Sequence, residues 1–412
     1  MSVNEKKAER VVLAAYEHVP YYNQLFLNNE LDPESDALSL PDIPVTTKEN
    51  IRELGIVNFL NNSSLRRGRL IDRDDVQVQQ TTGTTGIPMS IPWYKTDYYA
   101  STYHHWKLRS RYGNVTAVSR QCSLFFSNKK EDVFIVTENR LQINRAHICP
   151  ETVREYLHKM VDFRPEWIYM QPSILIYLIC IAQKENIDIR GEIRYIESVS
   201  EPLIPAYRKI IESYFGFSVH NMYGCEETNG IAFECDHGRM HLMSGNVIVQ
   251  IVDENGRSTT NGARGNVCVT GLHNTLMPII RYGLNDIAQL DSTPCPCGNK
   301  NPSLQLFSAR ITDILLLNDP NLTGSAELYY PHSAFSDLDL SDFIPFRLGM
   351  GEVGRTIYFP DDENDAETLF HEFLRIMAAY GMENAIFHLI SKDEAKSAGK
   401  LGYLKPTPKG AE

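Results

Sequence analysis

Two short stretches of this chain carry residue types that could do chemistry at the spacing they have. Thr81-Thr82-Gly83-Thr84-Thr85-Gly86-Ile87-Pro88 packs four hydroxyls and two glycines into six residues. Glycine lets backbone N–H groups approach phosphate oxygens closely, and threonine hydroxyls donate further hydrogen bonds, so such a loop can wrap a polyphosphate. No Gly-Lys-Ser/Thr follows, so it is not a Walker A loop. Taken alone, it also reads as a Thr-rich exposed turn. The second stretch is Cys295-Pro296-Cys297-Gly298. Two thiolates one residue apart offer half of a zinc site, and Cys235, His237 and His241 in the run ECDHGRMH could supply the other half.

The elements that must hold these groups follow from composition and periodicity. At 412 residues the chain is long enough for roughly two to three domains. A hydrophobic content of 42% and a charged content of 22% exclude disordered, collagen-like and coiled-coil classes. Forty Lys plus Arg against 52 Asp plus Glu leave a net charge of −12, so nucleic acid and membrane surfaces are not expected partners. The N-terminal run MSVNEKKAERVVLAAYEHVPYYNQLF breaks its apolar residues with charges. It reads as an amphipathic helix ending near Val19-Pro20, without the h-region of a signal peptide. The most apolar stretch, Trp167 to Ala182, falls short of the roughly 20 residues that cross a bilayer and reads as a buried helix. Eight cysteines are too sparse for a disulfide scaffold, so reduced thiols and a cytoplasmic location are expected.

From Asp75 to Trp93 the sequence is strand-like around the Thr/Gly loop, and Tyr98 to Tyr112 follows with a helical pattern. Apolar runs at 123–126, 132–136 and 166–170 alternate with helical stretches from Glu151 to Val161 and from Ser173 to Glu185, which predicts an α/β domain with mixed sheets. Val247 to Asp253 and Gly265 to Thr270 flank DENGRSTTNGARG and read as an antiparallel pair or a small β-barrel. Near Arg310 the pattern changes to short strands, an acidic loop at 361–367 and a helix from Ala366 to Tyr380. A domain boundary is placed there.

Downstream of the Thr/Gly loop come Tyr223-Gly224-Cys225-Glu226-Glu227, the run from Met277-Pro278 through Arg281-Tyr282 to Asp286, Arg310-Ile311-Thr312-Asp313 and Ala398-Gly399-Lys400. In this order and at these separations the five motifs resemble the adenylate-forming superfamily of acyl-CoA synthetases and adenylation domains. The VPYYNQLF start, the MPIIRY run and the CPCG segment look most like its phenylacetate-CoA ligase branch, and the resemblance covers essentially the whole chain.

The resemblance implies a large N-terminal ATP- and substrate-binding domain over 1–309, with mixed sheets and a small β-barrel subdomain, and a small mobile α+β lid over 310–412. It implies that Thr81, Thr82, Gly83, Thr84, Thr85 and Gly86 hold the departing phosphates and that Glu227 binds Mg²⁺ beside ATP. Tyr223, with Gly224, would lie against the adenine, Asp286 would accept from the ribose hydroxyls, and Arg310 would contact ribose or phosphate. Glu201 matches an acidic position beside the nucleotide. Lys400 resembles the lid lysine that meets the carboxylate and α-phosphate, and with Glu227 and Thr84 it makes up the catalytic set. An ammonium on a mobile element suits that task because it supplies charge when the lid closes. The implied acyl pocket draws on Tyr169, Ile174, Tyr177, Val199, Asn221 and Met222, a lining that suits an aryl acid.

Relatives in this branch look zinc-bearing, and Cys235, His241, Cys295 and Cys297 are the ligand set favoured here for a structural zinc. Gly349 to Gly354 formally spells G-x-G-x-x-G, but RTIYFP follows and reads as a strand, so a hairpin turn is the reading adopted. His104 and His105 are adjacent on a helix and face different ways, so neither is assigned to the site. Glu226, Met89, Asn285, Ala309 and Thr312 depart from the residues usual in the family, without removing an implied ligand. The activity expected is ATP-dependent conversion of a small carboxylic acid to its adenylate, followed by transfer to a thiol, most simply CoA. Transfer to a carrier-protein phosphopantetheine or an amine, and a catalytically silent nucleotide-binding protein, are the alternatives. A homodimer is a common outcome for such enzymes.

Overall fold

The computed structural model describes residues 3–308, apart from 36–37, 66–72, 82–88, 126–132, 145–146, 149, 202, 204 and 261. Beyond 308 it describes 315–316, 327–328, 347–350, 355–358, 367, 371, 374 and 387–389. The chain divides into two compact units, one of residues 1–82, 88–107 and 222–311, the other of 83–87, 108–221 and 312–412.

The first unit opens with helices α1 (Val3–His18), α2 (Pro20–Asn28), α3 (Lys48–Leu54) and α4 (Asn62–Leu65). Proline suits the first turn of α2, where its missing N–H is not needed. Thr47 and Asn50 form a capping box on α3, each side chain accepting from the other's backbone N–H. The strand-like run around the Thr/Gly loop is β1 (Val76–Gln80) antiparallel to β2 (Ser90–Tyr94), and then comes α5 (Lys95–Gly113), which runs into the second unit.

The second unit alternates strands and helices: β3 (Gln121–Phe125), β4 (Phe134–Val136), β5 (Arg140–Asn144), α6 (Pro150–Phe163), β6 (Trp167–Met170), α7 (Pro172–Lys184), β7 (Tyr195–Ser198) and α8 (Pro205–Phe215). The strand β8 (His220–Cys225) begins in this unit. Strands β5, β3, β6, β7 and β8 pair in that order, all parallel, with β4 antiparallel on the edge. α6, α7 and α8 are the crossovers that join β5 to β6, β6 to β7 and β7 to β8. The apolar run expected to be a buried helix is therefore strand β6 followed by α7, with the break at Gln171-Pro172. Ile174, Leu175, Leu178 and Ile179 of α7 are buried with Ile168 and Ile196 of the sheet. Each such side chain contributes about 1.5–3 kcal/mol on leaving water.

The remainder of the first unit is antiparallel: β8 pairs β9 (Asn229–Glu234), then β10 (Met240–Leu242), β14 (Ser303–Ser308), β13 (Tyr282–Asp291), β12 (Gly265–Gly271) and β11 (Val247–Val252). The expected pairing of 247–253 with 265–270 is present, and no closed barrel is seen among the described residues. Trp93, Ile231, Val267 and Ile279 lie in the core beneath these strands. Among the described residues beyond 308, Arg347–Met350 and Arg355–Tyr358 pair antiparallel, which is the hairpin read in place of a dinucleotide fingerprint. No helix among the described residues is long and apolar enough to cross a membrane.

Candidate active site

Thr81 sits at the neck of the Thr/Gly loop, one residue past β1 and only 7% exposed. Its N–H donates to Met89 O at 2.9 Å, and Met89 N–H donates back to Thr81 Oγ1 at 2.9 Å. The Lys48 ammonium donates to the same hydroxyl oxygen at 3.5 Å. Thr81 therefore clasps the two ends of the loop together, and Lys48 brings a positive charge to that clasp. Thr82, Gly83, Thr84, Thr85 and Gly86 lie outside the described residues, as do Arg310 and Lys400.

Past β8, the turn that carries Glu226 and Glu227 is pinned from two sides. Trp93 donates its indole N–H to Glu226 O at 3.2 Å. Tyr282 donates its hydroxyl to Glu227 Oε1 at 3.0 Å. Glu227 is 5% exposed and Tyr282 2% exposed, so the carboxylate is held in one orientation inside the fold. Burial, reinforced by the Glu227 charge, pushes the Tyr282 phenol far above its ordinary value. Burial and Glu227 likewise push up the Cys225 thiol. Gly224 permits the bulge at the start of this turn, because a Cβ there would lie 2.6 Å from Asn229 O.

Tyr223 and Asp286 come from motifs far apart in the chain, and the Tyr223 hydroxyl donates to Asp286 Oδ2. Asp286 is 9% exposed, next to Asn285, whose φ of 60° puts it in the left-handed region that Asn tolerates. Arg281, to which the sequence reading assigned no role, is 1% exposed. Its guanidinium donates to Pro41 O, Ile43 O and Gly256 O and ties the 281–286 segment to two loops.

In the second unit the expected acyl-pocket residues divide: Tyr169 and Val199 lie toward the carboxyl ends of β6 and β7, Asn221 near the start of β8 pairs with Ser198, and Ile174 and Tyr177 lie on α7. Glu201 comes shortly after β7. Tyr177 is 4% exposed and packs in the core of this unit with Ile174, and Tyr169 lies beneath the Arg109 guanidinium at 5.2 Å. Met222, on β8 where the first unit begins, is 8% exposed. Behind the same strands Arg109 makes a two-bond pair with Glu197 at 2.8 and 2.7 Å, and Tyr195 donates to Glu197 at 3.0 Å. Nothing in the local sequence marks this pair, because Arg109 sits 88 residues from Glu197 on a helix of mixed polarity.

The cysteine cluster assembles as a set. The ligand atoms of Cys235, His241, Cys295 and Cys297 all lie within 4.8 Å of one another. Cys235 Sγ and Cys295 Sγ are 3.8 Å apart, and Cys297 Sγ is 3.3 Å from His241 Nε2. His241 Nδ1 lies 2.8 Å from Asn301 O, which fits a protonated Nδ1 donating to the carbonyl and leaves Nε2 to ligate. Two turns present the sulfurs, with Gly238 and Gly298 at φ of 69° and 79° and their N–H groups donating to Cys235 O and Cys295 O. Burial opposes the Cys295 thiolate, but the Cys297 N–H, His241 and the neighbouring thiols bring its pKa down to about 6. Burial leads the rise of Cys235 to about 11. Three sulfurs and one imidazole are a closed tetrahedral zinc donor set. His237 is exposed and takes no part in the cluster.

His104 and His105 separate as their adjacency required. His105 lies against Gly230, where a Cβ would come within 1.9 Å of its Nε2, and His104 lies against Gly245.

Comparison with known proteins gives a consistent result. The sequence model described as "AMP-binding enzyme" matches residues 10–277. A phenylacetate-coenzyme A ligase of Thermus thermophilus is 24% identical over 336 residues, covering 78% of this chain and 72% of that protein. The Pseudomonas putida phenylacetate-coenzyme A ligase is 24% identical over 325 residues, covering 75% and 70%. Among solved structures, a 2-hydroxyisobutyryl-CoA ligase in the postadenylation state superposes with a TM-score of 0.71 at 17% identity, covering 99% of this chain and 86% of the other.

Proposed function

Because this chain belongs to the AMP-binding enzyme family, we propose that it joins a small carboxylic acid to ATP as an acyl-adenylate and then passes the acyl group to the thiol of CoA. The observation that best supports this reading is the hydrogen bond between Tyr223 and Asp286, positions that match the family's adenine and ribose contacts from separate motifs. In the first step a carboxylate oxygen of the acid attacks the α-phosphorus in line, and the bond to pyrophosphate breaks. In the second a thiolate attacks the acyl carbonyl and AMP leaves.

The Thr/Gly loop, clasped by Thr81, receives the departing phosphates with backbone N–H groups and hydroxyls. Glu227, oriented by Tyr282, is a hard oxygen ligand suited to Mg²⁺, which when bound would neutralise phosphate charge. Lys400 serves the carboxylate and α-phosphate. The Cys235, His241, Cys295 and Cys297 cluster is assigned a structural zinc that ties β9, β10 and the 295–298 turn. An aryl acid is the favoured substrate class.

The test is acid-dependent exchange of labelled pyrophosphate into ATP across aryl, fatty and amino acids, with Lys400→Ala alongside and CoA thioester formation followed by mass. Exchange with one acid class, lost in the variant, and a CoA thioester of the same acid are expected. Exchange without thioester would move the acceptor to a carrier-protein phosphopantetheine or an amine. Silence with every acid, from folded protein that binds ATP, would overturn adenylation.

A further inference from the structure

The Thr/Gly loop has no charge of its own to offer a polyanion. From Val76 to Tyr94, through β1, the loop and β2, the sequence holds no Lys and no Arg. Glycine N–H groups and threonine hydroxyls orient phosphate oxygens, but as dipoles they neutralise no charge. In the reaction described above Lys400 serves the carboxylate and α-phosphate, so the departing β- and γ-phosphates still call for a cation.

One reaches the neck of the loop from a distant segment. Lys48 Nζ lies 3.5 Å from Thr81 Oγ1, a long hydrogen bond against the usual range of about 2.7–3.2 Å. The segment that carries Lys48 is fixed on both sides. Thr46 N–H donates to Arg281 O at 2.8 Å and Gly283 N–H donates to Thr46 O at 2.9 Å, which lays Thr46 beside Tyr282. The Thr47–Asn50 capping box then closes the first turn of α3, in which Lys48 is the first residue. Tyr282 is the residue that aims Glu227. The short run from Thr46 to Lys48 therefore touches both the neck of the loop and the partner of the carboxylate assigned to magnesium, all within the first unit. Lys48 itself is half-buried, so its charge is less screened than that of an exposed lysine. A compact ammonium on a flexible stem suits a phosphate as a point charge.

Resting on the ligase reading, we propose that Lys48 is the cation that binds the pyrophosphate half of ATP. Its ammonium swings from Thr81 to a β- or γ-phosphate oxygen. As the carboxylate oxygen of the acid bonds to the α-phosphorus, the bond from that phosphorus to the bridging oxygen breaks and its electron pair stays on pyrophosphate. Lys48 keeps its proton throughout and offsets the charge that builds up there. The contact ends when pyrophosphate leaves, so Lys48 has no part in thioester formation.

The two half-reactions of the full-length protein are measured apart, with phenylacetate or whichever acid supports exchange in the wild type. Pyrophosphate exchange is followed over ranges of ATP and pyrophosphate, and thioester formation is followed from the chemically prepared acyl-adenylate and CoA. Lys48→Met, which keeps the stem without the charge, is expected to lose roughly a hundredfold in kcat/KM for ATP and to raise KM for pyrophosphate. Thioester formation from the adenylate should keep its wild-type rate, and Lys48→Arg, which keeps the charge, should recover part of the exchange. A merely structural role would slow both half-reactions together. Wild-type exchange constants in Lys48→Met, or equal losses in the two half-reactions, would overturn the proposal while leaving the ligase reading intact. A wild type that exchanges with no acid would remove the ligase reading, and this proposal with it.

Discussion

The Tyr282 hydroxyl donates to Glu227 Oε1 across 3.0 Å, although the two residues come from motifs 55 positions apart. The carboxylate assigned to magnesium is thus aimed by a buried phenol. Tyr282→Phe removes that donor and leaves a buried carboxylate oxygen unpaired, a loss of about 1–3 kcal/mol. Pyrophosphate exchange should fall roughly ten- to a hundredfold, with a higher magnesium concentration needed for half-maximal rate. An unchanged magnesium dependence would separate Tyr282 from metal binding.

Thr81→Val keeps the shape of the neck of the Thr/Gly loop but removes the oxygen that accepts from Met89 and Lys48. The loop should lose its clasp at a cost of about 1–2 kcal/mol, seen as a raised KM for ATP with a smaller change in KM for the acid. Equal changes in both constants would point to a general loss of structure instead.

Zinc, measured by elemental analysis of purified protein, should be present at one equivalent per chain. Cys295→Ser and Cys235→Ser should each lower that content, and a strong chelator should lower the thermal midpoint, with recovery on adding zinc. Protein that carries no zinc and whose midpoint ignores both chelator and added zinc would leave four free side chains in place of a metal centre.

The Arg109–Glu197 pair has side chains 9% and 0% exposed. Removing one partner strands a buried charge, so Arg109→Met or Glu197→Leu alone should destabilise by about 3–5 kcal/mol. The double variant should cost clearly less than the sum. Additive losses in a urea-denaturation cycle would mean the pair is not energetically coupled.

Alkaline pH should weaken the fold through its buried phenols. Burial raises Tyr22, Tyr156, Tyr195 and Tyr282 above the ordinary value of 10.0. Their contribution is complete below pH 10, where folded and unfolded chains both keep the protons. Above it the unfolded chain releases protons that the folded chain retains, so stability falls as pH rises. Urea midpoints from about pH 8 to 11 should decline most steeply above 10, and Tyr22→Phe should flatten that limb. Parallel slopes for the two proteins would assign the decline to other groups.

Much of this architecture could be read from neighbouring residues. The strand-like run from Asp75 to Trp93 and the helical spacing from Tyr98 to Tyr112 anticipate β1, β2 and α5, since both periodicities are local properties of the chain. The four side chains expected as zinc ligands gather in space, while His237 is exposed and stands apart from them. The strand after Gly354 was enough to set aside the dinucleotide fingerprint. The order of the motifs carried the family.

Tertiary structure alone decided how those motifs meet. Arg281, bonded to carbonyls 240, 238 and 25 residues away, has the sequence signature of any surface arginine. Lys48 reaches Thr81, Arg109 reaches Glu197 and Tyr282 reaches Glu227 by the same kind of long-range pairing. A hydrogen bond between distant residues leaves no periodic trace, because its geometry depends on how sheets and loops pack and not on the spacing along either segment. Sequence determined which chemistry the chain carries; packing determined which side chains aim it.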